Sequence, residues 1–193
     1  MNNTRKENLD AFLKVLDVDD ATTGGGSASC IAGSMAAGMA GMVARLSKGK
    51  KLGPDEHYDG MVKEFKALQQ ALFDGGALDS RAFDQVSRAF KMPKQTPEEK
   101  AERSRVIQAG YEACARVPMD NGKNCLRVMT LCRELKTAFN ANCASDLDCA
   151  LMLAEAGVRG CLANVVINLP GIKDPSLVRE LTDQCNTIKE ELK

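Results

Sequence analysis

Residues 27–44 contain no charged side chain, and most of them are Ala, Gly, Ser or Met. An uncharged helix of that length needs either lipid or other helices around it. Lipid is the poorer fit, because Gly and Ala gain little from transfer into a bilayer and the run is marginal in length. Gly33, Ala37 and Gly41, with Ala36 and Ala40, recur at spacings of three and four. A face of such small side chains lets a second helix approach closely. The segment is expected to be a central buried helix, with a subunit interface as a further use. Residues 145–168 repeat the same small, apolar character nearer the C-terminus.

The other segments have to surround these two. Leu9, Phe12, Leu13 and Leu16 fall at helical spacing in a charged N-terminal stretch. A helix over 58–73 is expected to bury Met61, Val62, Phe65, Leu68 and Leu72, and a separate one over 78–90 to carry Phe83 and Val86 inward. Thr96, Pro97 and Glu99 spell an N-cap, a first-turn proline and a capping box. The helix they open is expected to run to about Val117, where Pro118 kinks or interrupts it, and then to resume as far as about Ala138. Ser145 is placed to cap the following helix, and Pro170, Gly171 and Pro175 mark a turn before a last helix over 176–192. No segment alternates convincingly, so the expected fold is all-α: one domain over 1–193, seven to nine helices, with the two small-residue helices buried. A chain of this length can bury roughly 70% of its unfolded surface without staples.

Charge excludes some partners. Lys plus Arg and Asp plus Glu balance at 26 each, and there is no Trp. Neither a steering field for a polyanion nor a set of stacking platforms results, so nucleic acid is not an expected partner, and neither is a membrane. The eight cysteines include no CxxC pair, and the single His57 lies far along the chain from any Cys pair, so no metal site is expected. Most lie among Ala, Leu and Met, where a free thiol is a small hydrophobe; with no signal peptide evident, a reducing cytoplasm is the expectation.

Several polar groups stand against this background. Gly24, Gly25 and Gly26, followed by Ser27, open the first apolar helix. Their backbone N–H groups form a ready anion or carbonyl site, or alternatively a tight turn with Ser27 as N-cap. Lys50 and Lys51 follow that helix, where they complement its dipole or grip a carboxylate. Asn140, Asn142, Ser145 and Asp146 converge before the second apolar helix, an unusual place for so many polar side chains. Asp79 and Asp84, five apart, do not share a helical face, and simple surface exposure accounts for each. Asn164 and Asn168 lie one turn apart and need partners or a ligand if buried.

In order along the chain, Thr22 to Ser27, Met42-Val43, Gly49-Lys50-Lys51, Asp79-Ser80-Arg81-Ala82-Phe83-Asp84-Gln85-Val86, Met92-Pro93-Lys94, Val117-Pro118, the 140–146 segment and Asn164 to Leu169 resemble the formiminotransferase-cyclodeaminase family, which includes methenyltetrahydrofolate cyclohydrolases. The chain departs from the family pattern at Thr23 (proline there), at Phe139 and Asp148 (glycine there), and in the Leu52 to His57 stretch, which displaces a tyrosine.

The resemblance implies a folate enzyme acting on the one-carbon bridge between N5 and N10, as a cyclodeaminase or, alternatively, a cyclohydrolase. It implies a homodimer and no metal or redox cofactor. Asp146 or Asp79 would be the carboxylate that pairs with the amidinium-like charge and relays the proton, with Asp84 as a further candidate. Lys50 would be a general acid or a contact to the substrate carboxylate, beside Lys51. Gly24, Gly25, Gly26, Ser27, Asn142, Ser145, Asn164 and Asn168 would bind substrate. The altered flanks Phe139 and Asp148 raise the alternative of a folate-binding or interaction protein that lacks the chemistry.

Overall fold

A computed structural model describes residues 3–192, and among them the chain is all-helical. Six α-helices appear rather than seven to nine: α1 (Asn3–Leu16), α2 (Gly25–Ser47), α3 (Asp55–Phe90), α4 (Pro97–Leu135), α5 (Ala144–Asn168) and α6 (Pro175–Glu191). Short 3₁₀ turns, Ala141–Cys143 and Leu169–Gly171, bracket α5.

The lower count comes from two junctions that the chain runs straight through. Gly75 and Gly76 do not split α3. A Cβ at Gly75 would run into Asn121 of α4, and one at Gly76 would sit 3.6 Å from the Ser27 carbonyl oxygen of α2. The glycines cost helix propensity, about 1 kcal/mol each; at Gly75 that cost is offset by the close approach of Asn121, while Gly76 meets Ser27 at ordinary contact distance. Pro118 does not break α4 either. The capping box at Thr96 and Glu99 is present as expected.

Helix α2 runs antiparallel to α3 and α5, and α4 closes the bundle. Gly41 opposes Phe65, Gly33 opposes Leu72, and Gly157 of α5 sits over Ser29 and Gly33. The small residues thus let larger neighbours into direct contact with the α2 backbone. Ala36, Ala37, Ala40, Val43, Ala44, Phe65, Leu72, Met119, Val128, Ala154 and Val158 are fully buried around this axis.

Among the described residues, two helices are long and apolar enough to cross a membrane: Gly25–Ser47, whose most apolar part is 61% buried, and the Ala141–Gly171 stretch, 39% buried. The first is therefore enclosed as expected. The second is enclosed on one side only: Met152, Ala156, Ala163 and Val166 lie on its open side.

Three further expectations change. Leu9, Leu13 and Leu16 point outward, because α1 lays Asn8 and Ala11 against the bundle and Asn8 donates to the Asp74 carboxylate. Phe83 is exposed while Val86 packs inward with Ala82 and Cys114. Ser145 caps nothing: Asn140 accepts from the Asn142 N–H to cap the 3₁₀ turn, and α5 begins without a side-chain cap.

Candidate active site

The N-terminus of α2 and the middle of α3 meet at one carboxylate. Gly24, not Ser27, is the N-cap of α2, and it supplies no side chain. The Asp79 carboxylate of α3 occupies that end instead, accepting from the Ser27 backbone N–H. A Cβ at Gly26 would overlap the Asp79 carboxylate, so glycine is what admits it. The Ser27 hydroxyl donates to the Gly76 carbonyl (2.8 Å) and also lies 3.3 Å from Asp79 Oδ2. Ser80 Oγ stands 3.2 Å from Ser27 Oγ and donates to Thr23 Oγ1 at 3.4 Å. A chain of hydroxyls thus leads from Asp79 outward, and Thr23, the departure from the family proline, supplies its outer member.

The opposite wall comes from the C-terminal end of α5. Asn164 donates to the Gly160 carbonyl (2.9 Å), and Asn168 to the carbonyls of Asn164 (2.7 Å) and Cys114 (3.1 Å). These bonds use the amide nitrogens and leave both side-chain oxygens as acceptors. A cavity of about 300 Å³ lies between the walls, lined by Gly24, Gly26, Asp79, Ser80, Asn164 and Asn168, with Phe83, Cys114 and Ile167 among its apolar members.

Burial pushes the Asp79 carboxyl up to about 6; the Ser27 hydrogen bonds oppose the shift and the nearby Cys161 adds to it. A carboxyl in that range holds or releases a proton near neutral pH, as a general acid or base must. Behind it Cys30, Cys125 and Cys161 form a buried thiol cluster, in which contact with Cys161 and burial push the Cys30 and Cys125 thiols up. All eight cysteines are free, and only Cys149 is exposed. Among the described residues, no three His, Cys, Asp or Glu side chains converge as a metal site requires.

The remaining candidates lie elsewhere. Helix α2 has 23 residues, so its two ends are separated by roughly 33 Å. Lys50, Lys51, Asn142, Ser145 and Asp146 cluster at the far end from Asp79. There the Asn140 N–H donates to Ser47 Oγ (2.9 Å) and its amide to the Leu46 carbonyl (3.3 Å). This joint accounts for Asn140. Lys51 adopts φ 59° just after Gly49 at φ 73°, in a turn held by Asp55 accepting from the Gly49 N–H (2.8 Å). Asp79, Asp146 and Lys50 therefore do not meet within one copy of the chain. Asp84 is exposed and lines a separate cavity with Lys14 and Arg81.

The substituted flanks also sit at the far end. Phe139 packs against the core and Asp148 pairs with Lys136 (2.7 Å), so neither intrudes on the Asp79 cavity. Thr23, Ser80, Phe83, Cys114 and Ile167 were not legible as site residues. Thr23, Ser80, Phe83 and Ile167 do fall inside the motifs that resemble the family, whereas nothing in the sequence marked Cys114.

Residues 8–187 match the formiminotransferase-cyclodeaminase family. The chain is 34% identical to the methenyltetrahydrofolate cyclohydrolase of Methylorubrum extorquens, over 90% of this chain and 85% of that protein. It is 32% identical to the formimidoyltransferase-cyclodeaminase of Gallus gallus, covering 96% of this chain but 35% of that protein, about a third of its length. The crystal structure of formiminotetrahydrofolate cyclodeaminase from Thermotoga maritima superposes with a TM-score of 0.78 at 27% identity, over 90% of this chain and 83% of that one. The match extends from α1 to α6 and takes in both ends of α2, and on it the chain belongs to the formiminotransferase-cyclodeaminase family.

Proposed function

We propose that the chain converts 5-formiminotetrahydrofolate to 5,10-methenyltetrahydrofolate and ammonia, with Asp79 as the proton-transferring carboxylate. The observation that carries this reading is a carboxyl raised to about 6 in a cavity with helix N–H groups on one side and amide acceptors on the other. The protonated carboxyl gives its proton to the imino nitrogen, which makes the formimino carbon electrophilic. N10 attacks, the carbon–N10 bond closes the ring, and the carboxylate takes the N10 proton. That proton returns to the amino nitrogen, and ammonia leaves with the bonding pair. The carboxylate is left facing the methenyl cation, a stabilising arrangement in a site of low dielectric. It regains its proton from solvent along the Ser27, Ser80 and Thr23 hydroxyls. Each step is a proton transfer, an addition at carbon or the loss of ammonia, with no change of oxidation state, so the proposed reaction calls for no metal or redox cofactor.

A second reading is cyclohydrolysis, supported by the 34% identity to the methenyltetrahydrofolate cyclohydrolase. Here ionised Asp79 takes a proton from the water that attacks the methenyl carbon and gives it to N5 as the carbon–N5 bond breaks; the hydroxyl proton passes to solvent as the formyl carbonyl forms, and 10-formyltetrahydrofolate results. Absorbance at the methenyltetrahydrofolate band separates the two. Growth from 5-formiminotetrahydrofolate supports cyclodeamination, and decay of supplied methenyltetrahydrofolate supports cyclohydrolysis. No change from the uncatalysed rates with either substrate defeats both.

The expected partner is a second copy of the chain rather than nucleic acid or a membrane, in a reducing cytoplasm that suits eight free thiols. Met35 and Leu46 of α2 are exposed in register with the half-buried Met39 and Met42, beside the open, largely uncharged face of α5. A broad apolar surface of this kind suits a self-complementary contact.

A further inference from the structure

Phe83 and Ile167 are large apolar side chains placed where a single folded chain gains little from them. Phe83 is 51% and Ile167 75% exposed, and neither belongs to the packed core. One comes from α3 and the other from α5, yet both line the cavity that holds Asp79. Its inner wall is polar: the carboxyl itself, the hydroxyl of Ser80, and the amides of Asn164 and Asn168. The cavity therefore has a hydrogen-bonding floor and an apolar mouth.

We propose that Phe83 and Ile167 form the two sides of a clamp for the p-aminobenzoyl ring of the substrate, at the mouth of the Asp79 cavity. The assignment rests on the reading of Asp79 as the carboxylate at the one-carbon bridge. That bridge joins N5, in the pterin, to N10, on the benzoyl ring, so one ring must lie on each side of Asp79. The pterin carries donors and acceptors along its edge and matches the amide floor. The benzoyl ring has no such groups between N10 and its carbonyl, and only apolar walls recognise it. A flat ring held by an aromatic face and a branched aliphatic chain gains burial on both sides.

Isothermal titration with p-aminobenzoylglutamate, alongside steady-state kinetics, tests the clamp in the wild type and in Phe83→Ala, Phe83→Tyr and Ile167→Ser. Phe83→Ala and Ile167→Ser should each weaken binding of p-aminobenzoylglutamate and raise KM by about tenfold. The loss should fall on KM rather than kcat, and Phe83→Tyr should restore both values. Equal affinities in all four proteins would overturn the clamp. So would a drop in kcat at constant KM, or a dimer that dissociates with affinity unchanged, since the exposed pair would then be a subunit contact. If the wild type turns over neither folate, the catalytic reading fails by itself, while the fragment affinities still decide the clamp.

Discussion

Asn168 Nδ2 donates to the carbonyl oxygen of Cys114 at 3.1 Å, and that carbonyl is the one that Pro118 leaves without its helical partner. Pro118 stands four residues on and has no N–H to return. The side chain from α5 takes the place of the missing bond, which is how α4 passes through a proline without interruption. Asn168→Ala should therefore cost about 1–3 kcal/mol in urea denaturation, as a buried acceptor is orphaned. Adding Pro118→Ala should recover part of that loss, because the restored N–H reaches the same carbonyl; two additive losses would show that the contact carries no weight.

Asp79→Asn should lower kcat by roughly two to four orders of magnitude in whichever folate reaction the wild type performs, since an amide cannot relay the proton. Asp146→Asn, at the other end of α2, should stay within about threefold. The reverse ranking would move the chemistry to the 140–146 segment.

Because the folded Asp79 carboxyl titrates at about 6, above its ordinary 3.8, the folded state holds that proton more tightly than the unfolded one. Its favourable contribution is complete below pH 3.8 and disappears as pH rises through 6. At pH 8, Asp79→Asn should raise Tm by roughly 2–4 °C, allowing for partial solvent screening of the site. The two proteins should converge near pH 4. In kinetics, the rate should fall above pH 6 if the protonated carboxyl acts first, as in cyclodeamination, and rise through it if the carboxylate acts as base, as in cyclohydrolysis.

Gly26→Ala should damage the site without touching a catalytic atom. Its Cβ would overlap the Asp79 carboxylate, so the two helices must part or the carboxylate must turn away. A loss of about 1–3 kcal/mol in stability and at least about tenfold in kcat is expected. A fully active, equally stable variant would mean that Asp79 is free to sit elsewhere.

Met35→Lys combined with Met152→Lys should convert the proposed dimer to a monomer in sedimentation velocity, with helical content by circular dichroism unchanged, because both side chains are exposed in the single chain and a buried unpaired ammonium is costly. Unchanged sedimentation would place the contact on another face, for which the outward Leu9, Leu13 and Leu16 of α1 are the remaining apolar stripe.

The helical class, the enclosure of α2 and the capping box at Thr96 could all be read from the chain. Each is written within a few residues, as periodicity, absence of charge or a spaced pair of polar groups. Helix continuity through Gly75-Gly76 and Pro118 could not, because both are local breaking signals overridden by remote partners, Asn121 in one case and Asn168 in the other. The same limit governed α1, whose apolar stripe is plain but whose contacting face is chosen by Asn8 and Asp74.

The polar residues divide in the same way. That Asp79, Asp146, Lys50 and the Gly24–Gly26 loop are chemically capable followed from residue type and from position at helix ends. Which of them share a site was decided by the antiparallel packing of three helices: it sets Asp79, Asn164 and Gly26 around one cavity and leaves Lys50 and Asp146 at the other end of α2. Periodicity along a helix says which side chains share its face. The neighbours that the face meets, and at what height, depend on side-chain volumes summed over the whole interface, and here on glycines that let α2 and α3 approach closely enough for a carboxylate to reach the end of a helix.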